Sequence, residues 1–150
     1  MSWFHRQQQP PPSQPTPPDR FDDDDDESGM PHGIECTCEE AARLLSGGEV
    51  VLLDVREPWE WSQARLKGAV HVPLRQVPSR VADLKDRAAA LAPTAPVLVY
   101  CAHGMRSLDA ALFLRSQGIE GARSIAGGLA HWMEQGIGHV LLGNEADSPA

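Results

Sequence analysis

The stretch VLVYCAHGMRSLDAALFL, residues 97–114, decides how the rest of the chain is read. Four apolar residues, VLVY, have the make-up of a buried strand, and SLDAALFLRSQ, residues 107–117, has the pattern of a helix stopped by Gly118. Between them stand Cys101, Ala102, His103, Gly104, Met105 and Arg106. A thiol placed where a buried strand runs out, in a tight loop that feeds a helix N-terminus, occupies the position where open α/β sheets bind ligands.

Working outward, short apolar runs alternate with helical patterns. GIECT (33–37) reads as a strand and CEEAARLLSGG (38–48) as a helix closed by Gly47 and Gly48. VVLLDV (50–55) is a near-continuous apolar run suited to a parallel strand buried on both faces. EPWEWSQARL (57–66) reads as a short helix or turn, and GAVHVPL (68–74) as a strand closed by Pro73. Residues 75–91 carry Val77, Val81, Leu84, Ala88 and Leu91 on one helical stripe, ended by Pro93 and Pro96. ARSIA (122–126) is a strand and GLAHWMEQ (128–135) a helix stopped by Gly136. The alternation implies an α/β fold with a mostly parallel sheet.

The first 33 residues stand apart, with seven of the thirteen prolines, a Gln run and the five aspartates Asp22 to Asp26. Such a segment buries too little apolar surface to offset its ordering entropy and is expected to be disordered. It carries a net charge of −5 out of the chain's −8, so the remainder is only mildly acidic and its charge names no substrate. The expected organisation is a disordered segment 1–33, one domain over 34–138 and a polar C-terminal tail over 139–150. The 150 residues suffice for one ordinary core. No secretory h-region follows Met1 and no apolar run reaches the length of a membrane span, so a cytoplasmic protein with no membrane and no nucleic-acid partner is expected. Three cysteines, an odd number, argue for reduced thiols rather than a disulfide framework.

At Cys101 a thiolate would face the first, unpaired amides of the following helix, and Gly104 lets the loop turn so that its N–H groups converge. A free thiol with pKa ~8.5 is only ~3% ionised at pH 7. A helix terminus supplies ~0.3–2 kcal/mol of anion stabilisation, so the loop amides have to add to it. The competing reading is a buried strand-end cysteine acting as a small hydrophobe, and the neighbouring Gly and Arg weigh against it. Cys36 and Cys38 form a single Cys-x-Cys that reads first as packing at the end of the first strand, with a resolving thiol as the other reading. His71 and His131 lie in apolar stretches and read as packing residues, and Trp132 as a cover of the core. No metal-ligating pattern and no cofactor motif stands out.

Four motifs together resemble the rhodanese family. LLDVREPWEW is similar to its Asp-x-Arg motif after the second strand, LKGAVHVPL to its Gly-Ala-x-x-x-Pro segment, VYCAHGMRS to its active loop, and IAGGLAHW to its terminal Gly-Gly-x-x-x-Trp motif. The resemblance implies a three-layer fold with a central, mostly parallel five-stranded sheet and helices on both faces. It also implies a sulfurtransferase in which Cys101 takes sulfane sulfur as a persulfide from a small-molecule donor such as thiosulfate, mercaptopyruvate or a persulfide. The acceptor is then cyanide, a thiol or a protein. By the same resemblance the backbone of Ala102, His103, Gly104, Met105, Arg106 and Ser107 cradles the sulfur, with Asp54 and Arg56 as a supporting pair. Four residues separate Cys101 from Arg106, whereas phosphatases and arsenate reductases of this fold have five, so those reactions are the alternative, beside a non-catalytic binding module. The family's thiosulfate enzymes carry a cation shortly after Asp-x-Arg, where this chain has Glu57 and Glu60, and thiosulfate is accordingly expected to be a poor donor. Positive charge is expected from Arg106 and from His103 when protonated.

Overall fold

The computed structural model describes residues 33–143. Five parallel strands form the central sheet: β1 (Glu35–Cys36), β2 (Val51–Asp54), β4 (Val70–His71), β5 (Val97–Tyr100) and β6 (Ala122–Ile125), in the spatial order β1-β6-β5-β2-β4. β2 and β5 run through the middle in register, Asp54 beside Tyr100, so that Cys101 leaves the sheet at its carboxyl edge next to the Asp54 strand end.

Alternation along the two central strands explains their continuous apolar composition. Val51, Leu53 and Val55 with Val97, Val99 and Cys101 face one side, where they pack on α3 (Val81–Leu91) and α4 (Met105–Ser116) through Leu84, Ala110, Ala111 and Leu114. Leu52, Leu98 and Tyr100 face the other, against α1 (Cys38–Gly47) and α5 (Gly128–Glu134) through Ala41, Leu129 and Trp132. Both faces are covered, the three-layer arrangement of a parallel sheet. α4 buries Ser107, Ala110, Ala111 and Leu114, one helical stripe whose first member belongs to the active loop. α1 starts under Thr37, whose Oγ1 accepts the Glu40 N–H at 3.0 Å, and ends at Gly48 in the left-handed region.

The structure departs from the sequence reading in three places. Residues 75–91 are two elements, a 3-10 segment Leu74–Arg80 followed by α3, because Pro78 has no N–H to give a continuous helix and its ring crowds the preceding turn. The segment 57–66 divides into α2 (Pro58–Gln63) and a strand, β3 (Ala64–Leu66). The domain also continues past residue 138: β7 (Val140–Leu142) pairs antiparallel with β3, Leu66 opposite Val140, so the tail boundary at 139 is corrected to beyond this strand. Trp132, fully buried, donates its Nε1–H to the Gly138 carbonyl at 2.8 Å and guides the return to β7. The expected tail NEADSPA and the Pro- and Asp-rich segment up to residue 32 lie outside the described residues. Gly33, counted with that segment, is held by the domain, its carbonyl accepting from Arg115 at 3.0 Å and Arg123 at 2.9 Å. Among the described residues no helix is long and apolar enough to cross a membrane.

Cys36 and Cys38 pack in the core under α1 and α5. Burial pushes the Cys36 thiol up to about 11, with Arg123 opposing and Glu40 adding to the rise. Cys38 is raised too, by burial and then by Glu39. A thiol whose folded value exceeds its unfolded one stabilises the fold fully below the unfolded value and loses that contribution as pH rises through the folded one. The denaturation midpoint is therefore expected to fall as pH climbs from about 9 to about 11. The Cys36→Ala, Cys38→Ala chain should lose the slope below about pH 10, above which the buried Tyr100 phenol, also pushed up, contributes its own. Urea titrations at stepped pH measure both slopes.

Candidate active site

The active loop is fixed from three sides. β5 delivers Cys101 to the sheet edge, where the Val55 N–H donates to the Tyr100 carbonyl at 3.1 Å. From the opposite direction the first free amides of α5 reach the loop: Leu129 N–H donates to the Cys101 carbonyl at 2.8 Å, and Ala130 N–H to the Ala102 carbonyl at 3.0 Å. Only glycine permits that approach, since a Cβ on Gly128 would lie 2.5 Å from the Cys101 carbonyl oxygen and 2.6 Å from the Ala102 carbonyl carbon. Gly104, at φ 104°, turns the chain into α4, which begins at Met105, two residues before the sequence pattern suggested.

That turn converges two amide donors on the sulfur. Gly104 N–H points at Cys101 Sγ at 3.1 Å and Ser107 N–H at 3.3 Å. Ser107 sits in the first turn of α4, so its amide is one of the helix's own orphan donors. Its hydroxyl lies 3.5 Å from Sγ and shares a 2.7 Å hydrogen bond with Ser124 Oγ of β6. Hydrogen bonds to a charged acceptor are worth ~1.5–3 kcal/mol each, more than the ~0.3–1 kcal/mol of a typical helix terminus, so these two donors carry more of a thiolate's stabilisation than the helix dipole does. Cys101 itself is buried, Ala102 half-buried, and His103 and Met105 exposed.

Asp54 and Arg56 form a buried pair beside this loop. Arg56 Nη2 meets Asp54 Oδ2 at 2.7 Å and Nε meets Oδ1 at 3.0 Å, while the Arg56 backbone N–H donates to Oδ1 at 2.9 Å. The same guanidinium donates to the Ala64 carbonyl at 2.6 Å and lies 5.4 Å from the Tyr100 ring centroid. Burial opposes the Arg56 charge, but the Asp54 hydrogen bonds and attraction outweigh it and the group stays protonated. Asp54 thereby orients Arg56, and Arg56 ties the β2 end to the β3 edge.

Arg106 is not the free cation that the sequence reading expected. Its Nη1 meets Glu60 Oε1 at 2.8 Å and its Nη2 meets Oε2 at 3.0 Å, a two-pronged pair that spans 46 positions of sequence. Glu60 is held from behind as well, by the Glu57 N–H at 2.8 Å, in a capping box at the start of α2. The Arg106 hydrogen bond keeps the Glu60 carboxyl below the usual carboxylate range against the opposing effect of burial. Glu57 in turn pairs with Arg75 at 2.8 Å. The spacing Glu57-Pro58-Trp59-Glu60 carries a readable capping signal; its partner Arg106 has none. His71 stacks on Trp61, ring centroids 4.8 Å apart, as a packing residue, whereas His131 is exposed beside Glu134.

A cleft of about 470 Å³ opens next to the loop, lined among others by Trp59, Glu60, His103, Leu129, Met133 and Leu142. A fixed thiol, amides aimed at its sulfur and an adjoining cleft suit nucleophilic attack on a soft atom such as sulfur.

Comparison with known proteins places these features. Residues 37–135 match the model of the rhodanese-like domain. A sulfurtransferase of Allochromatium vinosum is 31% identical over 96 residues, 63% of this chain and 82% of that protein. The thiosulfate sulfurtransferase GlpE of Pseudomonas entomophila is 35% identical over 108 residues, 71% of this chain and 90% of that one. Among solved structures, the human single-domain sulfurtransferase TSTD1 superposes with a TM-score of 0.58 at 28% identity, covering 68% of this chain and 96% of its own.

Gly128→Ala tests the close approach. The added methyl meets backbone rather than a flexible side chain and the residue's φ is 63°, so a loss of about 2 kcal/mol or more in stability is expected. Chemical denaturation measures it, and the loop amides of Cys101 to Gly104 should shift in the NMR spectrum while those of α3 stay in place.

Proposed function

Since the chain belongs to the rhodanese-like domain family and is a sulfurtransferase, we propose that Cys101 carries the transferred sulfur as a persulfide between a sulfane donor and a thiophilic acceptor. The observation that carries this reading is the pair of amides, Gly104 and Ser107, directed at Cys101 Sγ.

In the first half-reaction the Cys101 thiolate attacks the outer sulfur of the donor. A new S–S bond forms, and the electron pair of the broken bond leaves as sulfite from thiosulfate, as a thiolate from an organic persulfide, or as the pyruvate enolate from mercaptopyruvate. In the second, cyanide or a thiol attacks the outer sulfur and the Cys101 thiolate departs, giving thiocyanate or a new persulfide. A thiol serves both halves because it is a polarizable nucleophile and a competent leaving group. A protein thiol fits the acceptor role as well as a small one. The backbone of Ala102 to Ser107 cradles the anionic sulfur, Asp54 and Arg56 support the loop from beneath, and the reduced cysteines suit a cytoplasmic setting. Four residues between Cys101 and Arg106 make a narrow cradle for sulfur rather than a wide one for a tetrahedral oxyanion, which is the argument against a phosphatase or an arsenate reductase.

Intact mass after incubation with thiosulfate, mercaptopyruvate or an organic persulfide tests the reading. The chain should gain one sulfur atom that cyanide removes. Cys101→Ser should lose that gain and depress turnover about 1,000-fold or more while melting as the parent does, because a hydroxyl is neither ionised nor thiophilic at pH 7. Sulfur loading retained by the Ser variant would assign the nucleophile elsewhere.

A further inference from the structure

The cleft beside the active loop has an apolar rim, with Trp59, Met133 and Leu142 respectively 64%, 48% and 53% exposed. The cations around it are matched. Arg56 is taken by Asp54, Arg106 by Glu60 and Arg75 by Glu57, leaving His103 as the titratable group on the rim beside Glu60. Thiosulfate is a small dianion without apolar surface, so it needs an available positive charge and gains nothing from Trp59, Met133 or Leu142. A persulfide on an aromatic or alkyl carbon has the opposite needs.

We propose that Glu60 is a specificity-determining residue, which by clamping the Arg106 guanidinium turns the site away from small dianionic donors and toward carbon-bound persulfides whose apolar group lies in the Trp59–Met133–Leu142 cleft. This rests on the Cys101 persulfide reading and names the donor class for it. The transfer balances without any added oxidant: the Cys101 thiolate forms an S–S bond to the outer sulfur of R–S–SH, the donor's S–S bond breaks, R–S⁻ leaves with the electron pair, and the proton stays on the transferred sulfur.

Glu60 has the geometry for this task. Its side chain is only 11% exposed, both oxygens meet the guanidinium, and the Glu57 N–H fixes Oε1, so the clamp is neither mobile nor strongly screened. Arg106, held protonated chiefly by its Glu60 hydrogen bond, also counts Cys101 among the groups that favour its charge, so its field reaches the reacting sulfur. Removing the carboxylate would return that field to an incoming anion.

The test compares kcat/KM for thiosulfate and for benzyl hydropersulfide in the full chain, in Glu60→Gln, and in Glu60→Gln combined with Arg106→Gln. Gln at this helix position still accepts the Glu57 N–H, so α2 keeps its cap. The wild type should prefer benzyl hydropersulfide. In Glu60→Gln the thiosulfate-to-benzyl ratio should rise about tenfold, mainly through a lower KM for thiosulfate, and the rise should shrink with added salt. In the double variant the ratio should return to within about threefold of wild type, because the gain needs the released guanidinium. If Glu60→Gln does not fold, Glu60→Asp, whose shorter carboxylate cannot hold Arg106 in the same grip, should move the ratio in the same direction. A wild type that prefers thiosulfate, an unchanged ratio in the folded variant, or a gain that survives loss of Arg106 overturns the role of Glu60. A wild type that takes up sulfur from neither donor instead overturns the persulfide reading beneath it.

Discussion

Two backbone hydrogen bonds, from Leu129 and Ala130 of α5 to the carbonyls of Cys101 and Ala102, are the constraint on which the site depends. They draw a helix start against the loop at the sheet edge, and they exist only because Gly127 and Gly128 take left-handed conformations that leave room for the loop backbone. With the carbonyls facing α5, the loop turns at Gly104 and its amides face the sulfur. The helix that covers one side of the sheet thus sets the geometry of the catalytic loop. Trp132, four residues beyond Gly128, anchors the same helix in the core.

Charge is arranged around this centre in pairs. Asp54 with Arg56 lies buried, and Glu60 with Arg106 lies at the cleft wall. Burying an isolated charge costs several kcal/mol, whereas a two-pronged pair with its remaining donors used recovers most of that cost. The local amides are then left as the direct partners of an anionic sulfur. They are neutral, fixed, and indifferent to pH.

The central sheet and the loop were legible because their signals are local. VVLLDV and VLVY are unbroken apolar runs, Gly104 and the Gly127-Gly128 pair mark turns, and Cys101 stands directly after a strand. The same locality hid the rest. β3 and β7 are three residues each, too short to show a period, and each is a strand only because the other pairs with it. Glu60 and Arg106 were both noted as charges, yet nothing in a linear reading brings positions 46 apart together. Pro78 was visible, but the apolar stripe around it read as one helix, where the chain tightens to a 3-10 segment first. His131, placed in an apolar stretch, proved exposed because its helix turns Leu129 and Trp132 inward instead.

The β3–β7 ribbon has a consequence for what counts as the working unit. The recognisable family signature ends at residue 135, but Leu142 of β7 forms part of the cleft rim, and Ala64 of β3, its register partner, is the residue whose carbonyl Arg56 grips. One lip of the cleft is therefore written outside the conserved-looking motifs, in a strand that shares no residues with the catalytic loop. Such a strand is free to diverge: replacing a few side chains near the chain end reshapes what the cleft admits while Cys101, its amides and the glycine pair keep their places. Chemistry and selectivity are separately inherited in this architecture, one by the loop and the other by a lip that can be exchanged.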